Sequence, residues 1–342
     1  MKSFFQIQNP SIFQGKFQKK QYFEGWYFKI VDFTKKTILA IIPGIALNSQ
    51  ESNSHAFIQI LDGITAKYYY LTFPISDFST KKNKFEIKIG KNYFSNKFIH
   101  IDVQSAVVQL KGTLKFENLN PIPFHGINPG IMGIFSYLPK MECYHGIVSM
   151  NHGILGNLEY NNNKISFAGG KGYIEKDWGD SFPKRWIWMQ ANHFEESERS
   201  FMLSIAQINY LGIQFTGFLC VLYDKGEFHR FATYNLSQFQ IETITPEVCK
   251  IIVRSPKYLL YIQASKNKNP EISTGLMKAP IKGKMTAKCA ETIKAQVKIT
   301  FLKKKKIFYP DKNYELVFRD QSNYGGLEIM GKKTDFKFQT FF

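Results

Sequence analysis

The sequence predicts an all-β protein built as two similar halves, and three observations carry that prediction. First, its 342 residues include 32 phenylalanines and 18 tyrosines, side chains that suit the pleated, half-buried surface of a strand. Second, apolar and polar residues alternate in short runs bounded by Gly, Asn, Asp and Pro, and helical spacing is rare. Third, segments recur at an offset of about 161 residues. HAFIQILDG (55–63) resembles TGFLCVLYD (216–224), LTFPISDFS (71–79) resembles ATYNLSQFQ (232–240), and KFIHIDVQSA (97–106) resembles KYLLYIQASK (257–266). Such self-similarity points to an internal duplication. Each half then holds about eight short strands over roughly 150 residues, the dimensions of an up-and-down barrel. Two tandem β-barrels are expected, over residues 1–180 and 181–342.

Taken in order, YFEGWYFKIV (22–31) opens the first half. Period-2 alternation places Glu24, Trp26 and Phe28 on one side and Gly25, Tyr27 and Lys29 on the other. Its counterpart in the second half is RWIWMQA (185–191). FHGINPGIMGIFSYLPKMECYHG (124–146) belongs to neither repeat. Its Gly and Pro content predicts a long loop, within 121–150, over the mouth of the first barrel. There Glu142 and Tyr144 share a side, as do Cys143 and His145.

GYIEKDWGDSFPKRWIWMQANHF (172–194) reads as two strands around a Gly/Asp/Ser/Pro turn. Tyr173, Glu175 and Asp177 lie on one side of the first strand; Trp186, Trp188, Gln190 and Asn192 lie on one side of the second. Carboxylates, tryptophans and carboxamides suit neither a plain surface nor a plain core, so a polar-aromatic lumen is expected. A carboxylic acid in such a lumen has its pKa raised by desolvation and stays protonated near neutral pH. Glu175 and Asp177 are the candidate acids, the plainer alternative for Glu175 being an ion pair with a cation such as Arg185. Glu24 beside Trp26 repeats the carboxylate-aromatic combination. Tryptophan faces could stabilise a cation or simply fill a barrel. His145 and His152 lack a third spaced ligand, so no metal is expected.

Composition narrows the partners. No run approaches 18 consecutive apolar residues, which excludes a membrane-crossing helix. The start, MKSFFQIQNPSIFQGKF, lacks an apolar signal-peptide region, so a cytoplasmic location is expected. Four cysteines without a CxxC pair read as reduced thiols. The net charge of +18 admits two readings: lysines spread along strand edges, or attraction to an anionic membrane at its periphery. The run Lys303 to Lys306 is explained equally by a hairpin turn and by a binding patch. No nucleic-acid-binding signature accompanies the charge. GGKGYI (169–174) precedes a strand rather than a helix, which argues against nucleotide binding.

YFEGWYFKIV, the PGIMG and MECYHGIVSMNHGILG segments, GYIEKDWGDSFPKRWIWMQANHF and the late GGLEI (325–329) together resemble the tocopherol cyclase family over roughly residues 10–330. The resemblance extends more distantly to carotenoid 1,2-hydratases and implies two lipocalin-like barrels. It implies acid-catalysed ring closure of a prenylated quinol to a chroman, without a cofactor, on a hydrophobic substrate. Glu175 and Asp177 would then be catalytic. Glu24, Trp26, Tyr173, Trp186, Trp188, Gln190, Asn192, Glu142 and His145 would contact substrate. Two alternatives stay open: a non-catalytic carrier of an isoprenoid or lipid, and an alkene hydratase using the same acid with water.

Overall fold

The computed structural model describes residues 4–124, 128–266, 274–305 and 314–336. Strand dominates, and the only α-helix among the described residues is the short Phe4–Gln8. The chain divides into two compact units, Met1–Phe182 with Gly275–Cys289, and Pro183–Thr274 with Ala290–Phe342.

The first sheet has twelve strands. They are β1 (Tyr22–Val31), β2 (Ile38–Leu47), β3 (His55–Asp62), β4 (Tyr68–Phe73), β5 (Phe78–Thr80) and β6 (Glu86–Ile89). There follow β7 (Asn92–Ser95), β8 (Phe98–Gln104), β9 (Gln109–Glu117), β10 (Cys143–Tyr160), β11 (Asn163–Ser166) and β12 (Gly170–Gly179). Their spatial order is β4-β3-β2-β1-β12-β10-β9-β8-β7-β6-β5, with β11 beside β10. The second sheet contains β13 (Trp186–Ala191), β14 (Arg199–Tyr210), β15 (Ile213–Asp224), β16 (Glu227–Ala232) and β17 (Gln238–Ile244). It continues with β18 (Val248–Arg254), β19 (Tyr258–Ser265), β20 (Gly275–Ile281), β21 (Lys284–Lys304) and β22 (Tyr314–Met330). Its order is β16-β15-β14-β13-β22-β21-β19-β18-β17, with β20 beside β21. The plan repeats: β1 lies between β2 and β12, and β13 lies between β14 and β22. The turn expected around Lys306 lies outside the described residues.

Neither sheet closes into a barrel, which corrects the expectation of two barrels. Strand direction supplies the reason. Every neighbouring pair along both paths is antiparallel. An even number of such steps separates β4 from β5, and likewise β16 from β17, so each of these two pairs runs in one direction. A parallel pair needs a crossover of about a dozen residues or more. Only residues 74–77 and 233–237 connect them, each link carrying a 3-10 turn. The chain therefore bends from one neighbour to the next without sealing the seam.

Two further expectations change. The loop set at 121–150 ends sooner, because Cys143 already begins the 18-residue strand β10. The repeat also slips by one residue in places. Phe218 belongs to the core of the second unit. Register pairs Phe28 with Ile41 and Ile41 with Ile60, which leaves Phe57 on the other side of β3. A one-residue slip reverses the side on which a side chain stands.

In the first unit the aromatic core lies on the Trp26 and Phe28 side, where Trp26 stacks on Phe85 and Phe28 packs on Phe85, Phe94 and Phe116. The N-terminal segment is latched to this side. Lys176 pairs with Glu24 and donates to the carbonyls of Pro10 and Ile12. Glu24 accepts from the Gln14 and Gly15 amides and from the Tyr22 hydroxyl. The Lys176 ammonium lies 4.8 Å and 4.7 Å from the Trp26 and Trp178 ring centres. Burial lowers its pKa to about 8, the attraction of Glu24 opposing the fall.

Candidate functional site

Antiparallel partners share a face of a sheet. Tyr27 pairs with Glu175, Gly25 with Asp177 and Lys29 with Tyr173. On the other flank His145 pairs with Asp177 and Ile147 with Glu175. Tyr27, Lys29, His145, Tyr173, Glu175 and Asp177 therefore line one face of β1, β12 and β10. It is the face opposite the aromatic core, yet Tyr173, Lys29 and Glu175 are only 0%, 1% and 4% exposed. The expected grouping with Glu24 and Trp26 is corrected here. Trp26 pairs with Lys176 and Glu24 with Trp178, so both stand on the core face. Glu142 lies just before β10, where its backbone carbonyl accepts from the Asp180 and Ser181 amides. Tyr27 and Lys29, placed by alternation on the side opposite Glu24 and Trp26, were not among the expected site residues. Their alternation with Glu24 and Trp26 was the available signal.

The cluster is a chain of polar contacts. His145 Nδ1 lies 2.8 Å from Asp177 Oδ1, and its Nε2 lies 3.6 Å from Glu175 Oε2. The Tyr173 hydroxyl donates to that same Glu175 oxygen at 2.5 Å. A shift of register between Ile147 and Ser149 bulges β10 directly beside Glu175, a device that re-aims side chains. Burial alone would lower the pKa of His145. The Asp177 and Glu175 carboxylates, with the hydrogen bond that Asp177 accepts from the imidazole, outweigh it and raise the value to about 9. Burial and the adjacent Glu175 push the Tyr173 hydroxyl well above its ordinary value. Burial and Asp177 do the same to the Cys143 thiol, whose sulfur is 3.9 Å from Asp177 Oδ1. Arg185, the cation considered for Glu175, instead pairs with Asp335 at 3.2 Å. His152 stands apart against Phe116, and burial lowers its pKa to about 3, so it is neutral.

This arrangement can hold and relay a proton: a cationic imidazole lies between two carboxylates, one of which also receives a phenol hydroxyl. One donor atom from each of His145, Glu175 and Asp177 lies within 4.8 Å of the others, so these three could also hold a divalent cation.

The second unit carries a comparable face. Ile187, Met189 and Ala191 enter its core, so Trp186, Trp188 and Gln190 stand on the opposite side of β13. A lumen position is corrected for these residues too. Trp186 Nε1 donates to Glu328. Glu328 pairs with Trp188 on one flank and with the buried Glu291 on the other. Asn192 lies just past β13, its Oδ1 3.0 Å from His193 Nδ1. Sequence reasoning overlooked both glutamates, although Glu328 sits in the GGLEI segment.

Comparison with known proteins places this geometry in context. Residues 117–331 match the profile of the tocopherol cyclase-like family. The chloroplastic tocopherol cyclase of Zea mays is 23% identical over 197 residues, 55% of this chain but only 39% of the maize protein. Among solved structures, CghA with Sch210972 aligns at a TM-score of 0.54 and 8% identity, covering 92% of this chain and 89% of that one. Kievitone hydratase from Nectria haematococca aligns at 0.51 and 10% identity, covering 94% of each. At such identities the two structures show a shared fold alone.

Proposed function

The chain belongs to the tocopherol cyclase-like family, and from that membership we propose that it is a cyclase- or hydratase-type enzyme that protonates an alkene in a hydrophobic prenylated substrate. The observation supporting this reading is the Asp177–His145–Glu175–Tyr173 chain of contacts, buried at Glu175 and Tyr173 and partly buried at His145 and Asp177. Glu175 is the proposed donor, since its Oε2 lies between the Tyr173 hydroxyl and His145 Nε2. The imidazole supplies the proton, and Asp177 holds the imidazole in place. Closing the 3.6 Å gap to His145 is an adjustment of the kind catalytic contacts make when substrate binds.

The proton adds to the less substituted alkene carbon and leaves a tertiary cation. A phenol oxygen of the same molecule captures that carbon, closing a chroman ring and releasing its proton to the Glu175 carboxylate. If water captures the cation instead, the product is an alcohol. Both sequences return the proton and need no redox partner. The Tyr27 ring, directly across from Glu175, is suited to facing the cation.

The test is incubation of the protein with a prenylated hydroquinone and analysis of products by mass. A product of unchanged mass and altered retention supports cyclisation, and one heavier by a single water supports hydration. Substrate that binds and returns unchanged would make the protein a carrier and defeat the enzyme reading.

A further inference from the structure

β14 and β15 pair along their whole length, from Arg199 opposite Asp224 to Tyr210 opposite Ile213. Their neighbours stop early: β13 reaches Ala206, and β16 reaches Leu219. Residues 208–216 thus form a two-stranded ribbon extending past the sheet, a kind of element that is marginal in water by itself. Ile208 pairs with Phe215 and Tyr210 with Ile213, so these four share one face, while Asn209 and Gln214 lie on the other. Leu211 and Ile213 at the tip are 75% and 69% exposed.

The turn is built against local preference. Leu211 and Gly212 both have left-handed backbone, φ 51° and 84°, and such tips favour Asn-Gly. Elsewhere the left-handed non-glycine positions are held mostly by Asn and Lys, among them Asn83, Asn118, Asn161 and Asn162, with Ala66 and Leu236 the other apolar cases. A leucine at this tip gains no packing in return. The base of the ribbon is cationic. The Gln207 amide donates to the Arg185 carbonyl, Arg185 packs beside Gly331, and Lys184, Lys332 and Lys333 are exposed.

We propose that residues 208–216 form a bilayer-docking ribbon, which inserts Leu211 and Ile213 into the interface of an anionic membrane while the cations at its base meet lipid headgroups. An apolar tip followed by a basic collar is complementary to such a surface and to a protein of net charge +18. The assignment is independent of the alkene chemistry above, because it is tested without substrate.

The test is cosedimentation with phosphatidylcholine vesicles, with and without phosphatidylglycerol, comparing wild type with L211N and with L211N/I213N. Asn tolerates the left-handed position, so the variants keep the fold, and thermal unfolding checks this. Wild type should bind the anionic vesicles and release with salt. The double variant should bind about a hundredfold more weakly, about tenfold for each side chain withdrawn from the interface. Equal binding by wild type and double variant would overturn the proposal, as would no preference for anionic vesicles. If wild type ignores both vesicles but self-associates, and the variant is monomeric, the ribbon is an interface between copies and the membrane assignment fails.

Discussion

Replacing His145 with Gln should cost stability in a pH-dependent way whose direction the site dictates. The two carboxylates raise this imidazole from its ordinary 6.5 to about 9, which corresponds to about 3 kcal/mol of preferential stabilisation of the charged form. Because the folded pKa lies above the unfolded one, that contribution is complete below 6.5. It falls as pH rises and is gone above about 9. Lys176 runs oppositely: burial lowers it from 10.5 to about 8, so the folded state gains stability as pH rises across that interval. Wild type alone therefore mixes two opposed effects. His145→Gln retains Lys176, so the difference between the two proteins isolates the imidazole. Urea unfolding of both at about pH 6 and about pH 9.5 should show the gap narrowing by about 3 kcal/mol. A gap that stays constant would show that His145 carries no charge in the fold, and the proton-holding reading of the cluster would be wrong.

Glu24→Gln leaves Lys176 as a buried cation without its carboxylate and should destabilise by about 3–5 kcal/mol in urea. It should also speed tryptic cleavage at Lys16 to Lys20, because Glu24 holds the Gln14 and Gly15 amides; an unchanged cleavage rate would mean the latch does not hold that segment. Tyr173→Phe removes the hydroxyl on Glu175 and should lower turnover about tenfold or more, with little change in KM, since donor positioning is lost rather than substrate contact. A change confined to KM would place Tyr173 in binding instead. Chelation with EDTA should leave turnover unaltered, and a metal-dependent rate would reassign His145, Glu175 and Asp177 to a cation.

Much of the site was legible locally, and what was not depends on pairing between distant segments. Alternation separates Tyr173, Glu175 and Asp177 from Ile174 and Lys176, and Trp186 and Trp188 from Ile187 and Met189, as the sheets do. Which face of β1 meets which face of β12 is a matter of register. The pairing of Tyr27 with Glu175 joins segments far apart in the chain, and nothing in either segment states it. Hence Glu24 and Trp26 looked like partners of the acids, whereas Tyr27 and Lys29 occupy that place. Glu24 resembled a site carboxylate for a physical reason: a buried ion pair between tryptophans has the same composition as an acid in an aromatic pocket. Strand runs likewise could be recognised singly, but closure depends on how many strands separate the seam, and that parity left both sheets open. His145 was found through its alternation with Cys143; its contact with Asp177 needed the register of β10 on β12.

The most direct test of the proposed chemistry is turnover of a prenylated hydroquinone in deuterated water by wild type and Glu175→Gln. One solvent deuterium should appear on the former alkene carbon of the wild-type product, and the variant should bind substrate without converting it. Product free of solvent deuterium, or full conversion by Glu175→Gln, would contradict proton delivery from Glu175.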